Sequence, residues 1–249
     1  MSAAAAGVAE PRALEGRVVL VVGANGGLGE AASRACAKAG AKLVLLGRRV
    51  PRLNRLHDAI ASDGGDGTLY PLDLEGASPD DYAEMAARID AEFGRLDGLL
   101  HCAANFRGLT PLALTDPADF ARAVHVNLTA RWWLTQACLP LLGKSADAAV
   151  VFALDAQAPG TRAYWGGYGL AQAGQVALVD MLQAELGPNS PVRVSGLDPG
   201  PMRTSLRANA FVAEHDQAAA DPSRAAAHCV QLLSPAGAAW RGRVWAPPA

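Results

Sequence analysis

Short apolar runs alternate with longer amphipathic stretches along the whole chain. Arg17–Val22 is β-branched and ends in a glycine-rich turn. Glu30–Ala39 is alanine-rich with helical spacing and is closed by Gly40; Lys42–Leu46 is a second apolar run; Pro51–Ser62 is a helix stopped by Asp63-Gly64-Gly65. The pattern then repeats. Gly67–Leu72, Leu96–His101, Ala148–Ala153, Val192–Leu197 and Arg243–Trp245 read as strands. Pro79–Phe93, the long block Asp119–Leu142, Tyr168–Leu186 and Ser223–Leu233 read as helices. Strands that are apolar along their length are buried on both faces. Their alternation with helices predicts an α/β fold with a doubly wound parallel sheet covered by helices on both sides. Residues 14–249 are expected to form this single domain, with 1–13 as a flexible, alanine-rich tail.

Composition changes this picture little. The 249 residues are 51% hydrophobic, enough for one well-buried domain. Net charge is -2, with no run of like charges, which argues against a nucleic-acid or anionic-membrane surface. No uncharged apolar stretch is long enough to cross a bilayer. The N-terminus has no basic region followed by a leucine-rich core, so no signal peptide is expected. Cys36, Cys102, Cys138 and Cys229 form neither a CxxC pair nor a Cys/His cluster, and His125 and His228 have no metal spacing. The expectation is a reducing, cytoplasmic setting with no metal.

The chemistry starts where the first strand meets the first helix. The turn reads Gly23-Ala24-Asn25-Gly26-Gly27-Leu28-Gly29, in the strand–turn–helix context that a Rossmann dinucleotide loop requires. Gly23 permits the tight turn, and Gly27 and Gly29 let the backbone and the helix N-terminus approach a pyrophosphate. After the second strand stands Gly47-Arg48-Arg49, where an acidic residue would favour NAD(H). Arg48 and Arg49 offer guanidinium groups to a 2′-phosphate, so NADP(H) is favoured. The plainer reading is two solvated arginines opening a helix.

Gly23, Gly27 and Gly29 stand at the spacing of the short-chain dehydrogenase/reductase family, which the chain resembles from about Leu14 to Trp245. Val22 replaces the threonine that precedes this loop in the family. The resemblance implies that Asp73-Leu74 lies beside the adenine, that Asn127 is the active-site asparagine, and that Pro199-Gly200 and Thr204 lie beside the nicotinamide and its carboxamide. Trp165-Gly166-Gly167-Tyr168 resembles a pattern in bacterial oxidoreductases of the family. Tyr168 is then the general acid/base, with a carbonyl or alcohol as the small-molecule substrate. The helices holding 119–142 and 168–186, with Trp132, Trp133, Leu178 and Leu182, would pair across a two-fold axis in a homodimer or homotetramer.

The departures from the family lie at the same site. His101-Cys102-Ala103-Ala104 replaces its Asn-Asn-Ala-Gly beside the cofactor ribose, Asp155 its catalytic serine, and Gln172 its lysine. Tyr168 and Gln172 are four apart on one helix and share a face. A glutamine can hydrogen-bond a ribose hydroxyl but brings no charge. A cation at about 4 Å in a medium of effective dielectric about 20 is worth ~4 kcal/mol, roughly three pK units. Without it Tyr168 is expected near the free value of about 10, or higher beside an ionised Asp155. Asp155 either binds backbone amides or an arginine such as Arg162, or is protonated and donates beside Tyr168. Two functions follow: a weakened or altered NADP(H) oxidoreductase, and a non-catalytic dinucleotide-binding pseudoenzyme. His101 reads as a core histidine before it reads as an acid or base, Tyr164 as a loop aromatic, and Phe211 as a side chain lining the substrate pocket.

Overall fold

Residues 12–155, 163–211 and 219–247 are described by the computed structural model. The expected tail, 1–13, falls almost wholly outside them. From Leu14, which is fully buried with its N–H on the Ala39 carbonyl (2.9 Å), the chain is part of the domain. Seven parallel strands form one sheet: β1 (Val18–Val22), β2 (Lys42–Gly47), β3 (Asp66–Pro71), β4 (Gly98–His101), β5 (Ala148–Ala153), β6 (Val192–Leu197) and β7 (Val244–Trp245). Their order is β3-β2-β1-β4-β5-β6-β7, the doubly wound Rossmann arrangement. The order reverses between β1 and β4, so a crevice opens at the carboxyl ends of these strands.

Period-two side chains build the two layers. Val18, Leu20 and Val22 face Tyr82, Met85 and Ile89 of α3 (Pro79–Phe93), Leu134 and Cys138 of α5 (Ala130–Leu142), and Val179 of α6 (Gly166–Leu186). Val19 and Val21 face the other layer, with Ala32 and Cys36 of α1 (Gly27–Lys38), Leu53 and Ile60 of α2 (Val50–Ser62), and Cys229 and Leu233 of α8 (Pro222–Leu233). The α2 helix ends at Ser62 and α3 starts behind a Ser78 capping box, as their turn residues dictate.

The expected single block over 119–142 is divided. It consists of α4 (Pro117–Val124), a π-helical turn (His125–Thr129) and α5. Asp116 caps α4 by accepting from Ala118 and Asp119 N–H, which fixes its start two residues earlier than expected. The extra residue in the π turn changes the direction of side chains that follow it. Within the segment after β6, Ser205–Ala208 forms a short helix, α7. No helix among the described residues is long and apolar enough to cross a membrane.

At the opposite end of the sheet, the buried carboxylate of Asp97 accepts from Val18 N–H (2.8 Å), Ser145 Oγ (2.6 Å) and Arg95 Nε (3.0 Å). It ties β1 to β4 and to the turn before β5. Asp97→Ala strands the buried Val18 N–H and frees Arg95 from its carboxylate, and the expected loss is about 2–4 kcal/mol of stability, measured by urea unfolding.

Candidate active site

The crevice at the carboxyl ends of β1 and β4 is a cleft of about 620 Å³. One end is walled by Arg48, Arg49, Arg52, Asp73 and Leu74, the middle by Gly23 and residues 25–28, and the far end by Asp155, Tyr168, Gln172, Pro199, Gly200 and Thr204. Gly23 has φ +82°, and a Cβ there would lie 2.5 Å from Ala103 N. Only glycine lets the first turn lie against the end of β4. A Cβ on Gly27 would come within 2.7 Å of the Thr204 methyl group, so its bareness lets the segment after β6 close over the loop. Gly29 is not part of the cleft wall; a Cβ there would strike the Gly23 carbonyl at 2.1 Å. The α1 helix begins at Gly27 with no side-chain cap. Its first N–H groups are left to an anionic ligand in the cleft. The elongated shape, the bare loop and the uncapped helix all fit a dinucleotide.

Arg48 and Arg49 are exposed at the adenine-side end, where Arg48 Nη1 lies 3.8 Å from Asp73 Oδ2. Arg52, one turn into α2, joins them in the wall and was not singled out from the sequence. Asp198-Pro199-Gly200 is a turn in which Gly200 N–H donates to Asp198 Oδ1 (3.0 Å) and Gly200 has φ +68°. Thr204 Oγ1 accepts from Arg207 N–H (3.2 Å) and starts α7.

Tyr168 and Gln172 share one face of α6, and both are buried. Gln172 Oε1 accepts the Asp155 backbone N–H (3.0 Å), and its side chain lies beside the Tyr168 hydroxyl, where it favours the ionised form. Tyr168's pKa is pushed well above the ordinary phenol value. Burial is the largest cause and the Asp155 carboxylate the next, opposed by the Arg131 guanidinium and the Gln172 hydrogen bond. Burial alone already favours the neutral phenol, whatever side chain stands at 172. Arg162, a possible partner of Asp155, lies outside the described residues.

Asn127 is buried and takes no part in the cleft wall. It sits in the π turn, and three of its amide's four hydrogen-bonding positions are taken. Nδ2 donates to the carbonyls of Asn105 (2.7 Å) and Ala123 (2.7 Å), and Oδ1 accepts from Asn105 N–H (2.9 Å). It clamps the strand-end loop that follows Ala103. His101 is buried against Phe152, with Nε2 2.9 Å from Thr135 Oγ1, and its pKa is held down by burial and then by Arg131. Tyr164 is exposed and outside the cleft wall.

Sequence reasoning missed Arg131. It is buried in α5, lines the cleft, and donates to the carbonyls of Ala103, just past β4, and Ala153, the last residue of β5. The available signal was a lone charge in an otherwise apolar helix, one turn after Asn127. Phe106, Trp165 and Phe211 surround the Tyr168 end. Phe106 stacks on Trp165 and tilts against Tyr168, both at 5.0 Å, and Arg207 lies 4.3 Å above the Phe211 ring. Among the described residues no cluster of three His, Cys, Asp or Glu side chains is placed to hold a metal ion.

Known proteins agree with this geometry. The short chain dehydrogenase family model matches residues 17–215. The chain is 33% identical over 211 residues to the uncharacterized oxidoreductase YciK of Escherichia coli K12, covering 84% of this chain and 83% of that protein. A provisionally assigned short chain dehydrogenase from Pseudomonas syringae is 39% identical, with a TM-score of 0.90 and coverage of 95% of this chain and 96% of that one. Another from Escherichia coli CFT073, solved in complex with NADPH, is 31% identical, with a TM-score of 0.90 and coverage of 95% and 98%. With a fold, a cleft and relatives all of one kind, the chain belongs to the short-chain dehydrogenase/reductase family.

Proposed function

We propose that the protein is an NADP(H)-dependent oxidoreductase working in the reducing direction on a carbonyl compound. The observation that carries this reading is Tyr168. Its hydroxyl is buried, kept neutral, set beside the Gln172 side chain, and placed on the wall of the same cleft as the glycine loop. The bound cofactor supplies the hydride. Tyr168 donates its proton to the carbonyl oxygen, and the Gln172 amide steadies the phenolate left behind. Phe106, Trp165 and Phe211 exclude water and favour an apolar group beside the carbonyl. Residues 23 and 25–28 with the α1 N-terminus hold the pyrophosphate. Asp73, Leu74, Ala103, Pro199, Gly200 and Thr204 line the rest of the dinucleotide track, and Arg48 and Arg49, with Arg52 beside them, face the 2′-phosphate. A cytoplasmic setting suits the four free cysteines, three of them buried.

Cofactor choice tests the arginine end. The Arg48–Asp73 pair is half exposed and worth at most about 1 kcal/mol, so it does not withhold Arg48 from a phosphate. NADP(H) is expected to bind at least tenfold tighter than NAD(H), about 1.4 kcal/mol, and Arg48→Glu to remove most of the gap. Calorimetry with both cofactors measures it; equal affinities would refute the assignment.

The tyrosine end is tested by NADPH consumption over a panel of quinones, diketones and aldehydes. Tyr168→Phe is expected to lower the rate about 100-fold or more. A phenol with a raised pKa stays protonated past about pH 10, so reduction needs no alkaline assistance and loses none of its acid below that pH. Alcohol oxidation, which needs the phenolate, is expected to be far slower. A robust rate that survives Tyr168→Phe overturns the mechanism. Tight NADPH binding without consumption of any substrate supports the pseudoenzyme instead.

Assembly is the remaining expectation. Trp132 of α5 and Leu170 and Met181 of α6 are large apolar side chains left exposed on helices whose other faces already supply the core. A homodimer or homotetramer covering them is expected, and light scattering at micromolar concentration checks it; a monomer would count against it.

A further inference from the structure

Arg131 enters α5 where the neighbouring positions that face inward, Ala130 and Leu134, are apolar. Its side chain is buried, and no carboxylate of the described residues forms an ion pair with it. The guanidinium donates instead to three neutral oxygens: Ala153 O (2.8 Å), Ala103 O and Gln175 Oε1. The first two lie at the end of β5 and just past β4, and they give Arg131 a structural task. The third begins a row. Gln175 Nε2 donates to Gln172 Oε1 (3.2 Å), which also accepts Asp155 N–H (3.0 Å). The Gln172 side chain in turn lies beside the Tyr168 hydroxyl and favours its ionised form.

The amides in this row have only one orientation each. A guanidinium and a backbone N–H can only donate. Gln175 must therefore show its oxygen to Arg131, and Gln172 its oxygen to Asp155 N–H. Both NH2 groups then point onward, toward the phenol. Every N–H from the cation to Tyr168 is aimed the same way, an arrangement that favours negative charge on the phenol oxygen and in which each hydrogen bond polarises the next.

We infer that Arg131 is a positioning residue that acts through Gln175 and Gln172 to give Tyr168 the cation that position 172 no longer carries. The inference rests on Tyr168 as the proton donor. Two carboxylates face Tyr168, Asp155 beyond the end of β5 and Asp198 beyond the end of β6, and both oppose a phenolate; Arg131, from α5, is the cation that offsets them. Burial lowers its own pKa only to about 10, so it is charged at neutral pH.

The test replaces Tyr168 with 3-nitrotyrosine in the full-length protein without cofactor and titrates the phenol by its visible absorbance. Arg131→Met is expected to raise that pKa by about one unit or more. Gln175→Leu breaks the row but leaves the two backbone carbonyls on Arg131, and is expected to raise the pKa by a smaller amount. Arg131→Lys keeps the charge and loses the fork, and is expected to titrate close to the parent protein. Near-UV circular dichroism confirms the fold; if Arg131→Met does not fold, Gln175→Leu decides. Unchanged titration in folded Arg131→Met and Gln175→Leu proteins overturns the inference. So does an Arg131→Lys shift as large as that of methionine, which would reduce Arg131 to a strand tie. NADPH consumption is measured separately. A titration shift without turnover upholds the row and removes the reductase reading; turnover through Tyr168 with no titration shift does the reverse.

Discussion

The carbonyls of Ala103 and Ala153 and the amide of Gln175 converge on one guanidinium, that of Arg131. A buried cation without a carboxylate costs several kcal/mol unless its N–H groups are taken up by well-placed acceptors. These acceptors are the last residue of β5, the loop just past β4 and a side chain of α6. Folding around Arg131 therefore fixes three elements against one another. Ala103 is also the residue that Gly23 must clear, so the same contact sets how closely the phosphate loop approaches β4. The depth of the cleft at its centre depends on this one side chain. Asn127 performs the neighbouring task by holding Asn105 on the π turn.

This arrangement gives a physical reason for the glutamine at 172. An ammonium there would lie one glutamine side chain away from a buried guanidinium, and like charges at that separation repel by ~2 kcal/mol at an effective dielectric of about 20. The two cations are alternatives. With Arg131 in place, an amide at 172 is the compatible choice, because its oxygen can accept from Asp155 N–H and Gln175 while its NH2 faces the tyrosine. A lysine could accept neither, and the N–H groups of Asp155 and Gln175 would lose their partner.

How far the sequence could be read follows from what each residue depends on. The sheet and its two layers were legible because buried parallel strands are apolar along their length and the turn glycines sit between elements. The phosphate loop was legible for the same local reason. Breaking the long helical block into α4, a π turn and α5 was not, since one inserted residue leaves the apolar pattern almost unchanged. The position of Asn127 could be inferred by likeness, but its hydrogen bonding to Asn105 and Ala123 depends on a loop distant in sequence. Arg131 was hidden for a related reason. Its partners lie 22, 28 and 44 residues away, and no local spacing announces a charge that is satisfied only by tertiary contacts.

The same electrostatics bear on the proposed direction of the chemistry. In an apolar wall a phenol resists ionisation, and two carboxylates nearby strengthen that resistance. A base made from Tyr168 would start from a scarcely populated phenolate, whereas an acid made from it starts fully loaded. The cation reached through Gln175 and Gln172 does not reverse this balance, since the pKa remains raised with Arg131 present. What it does is lower the cost of the moment at which the proton has left and the phenolate is buried. A phenol held this way keeps its proton at neutral pH, as the donor in the proposed reduction must. The proposed direction therefore rests less on Gln172 alone than on the burial of Tyr168 and on Arg131, the cation among the described residues that offsets its two carboxylates.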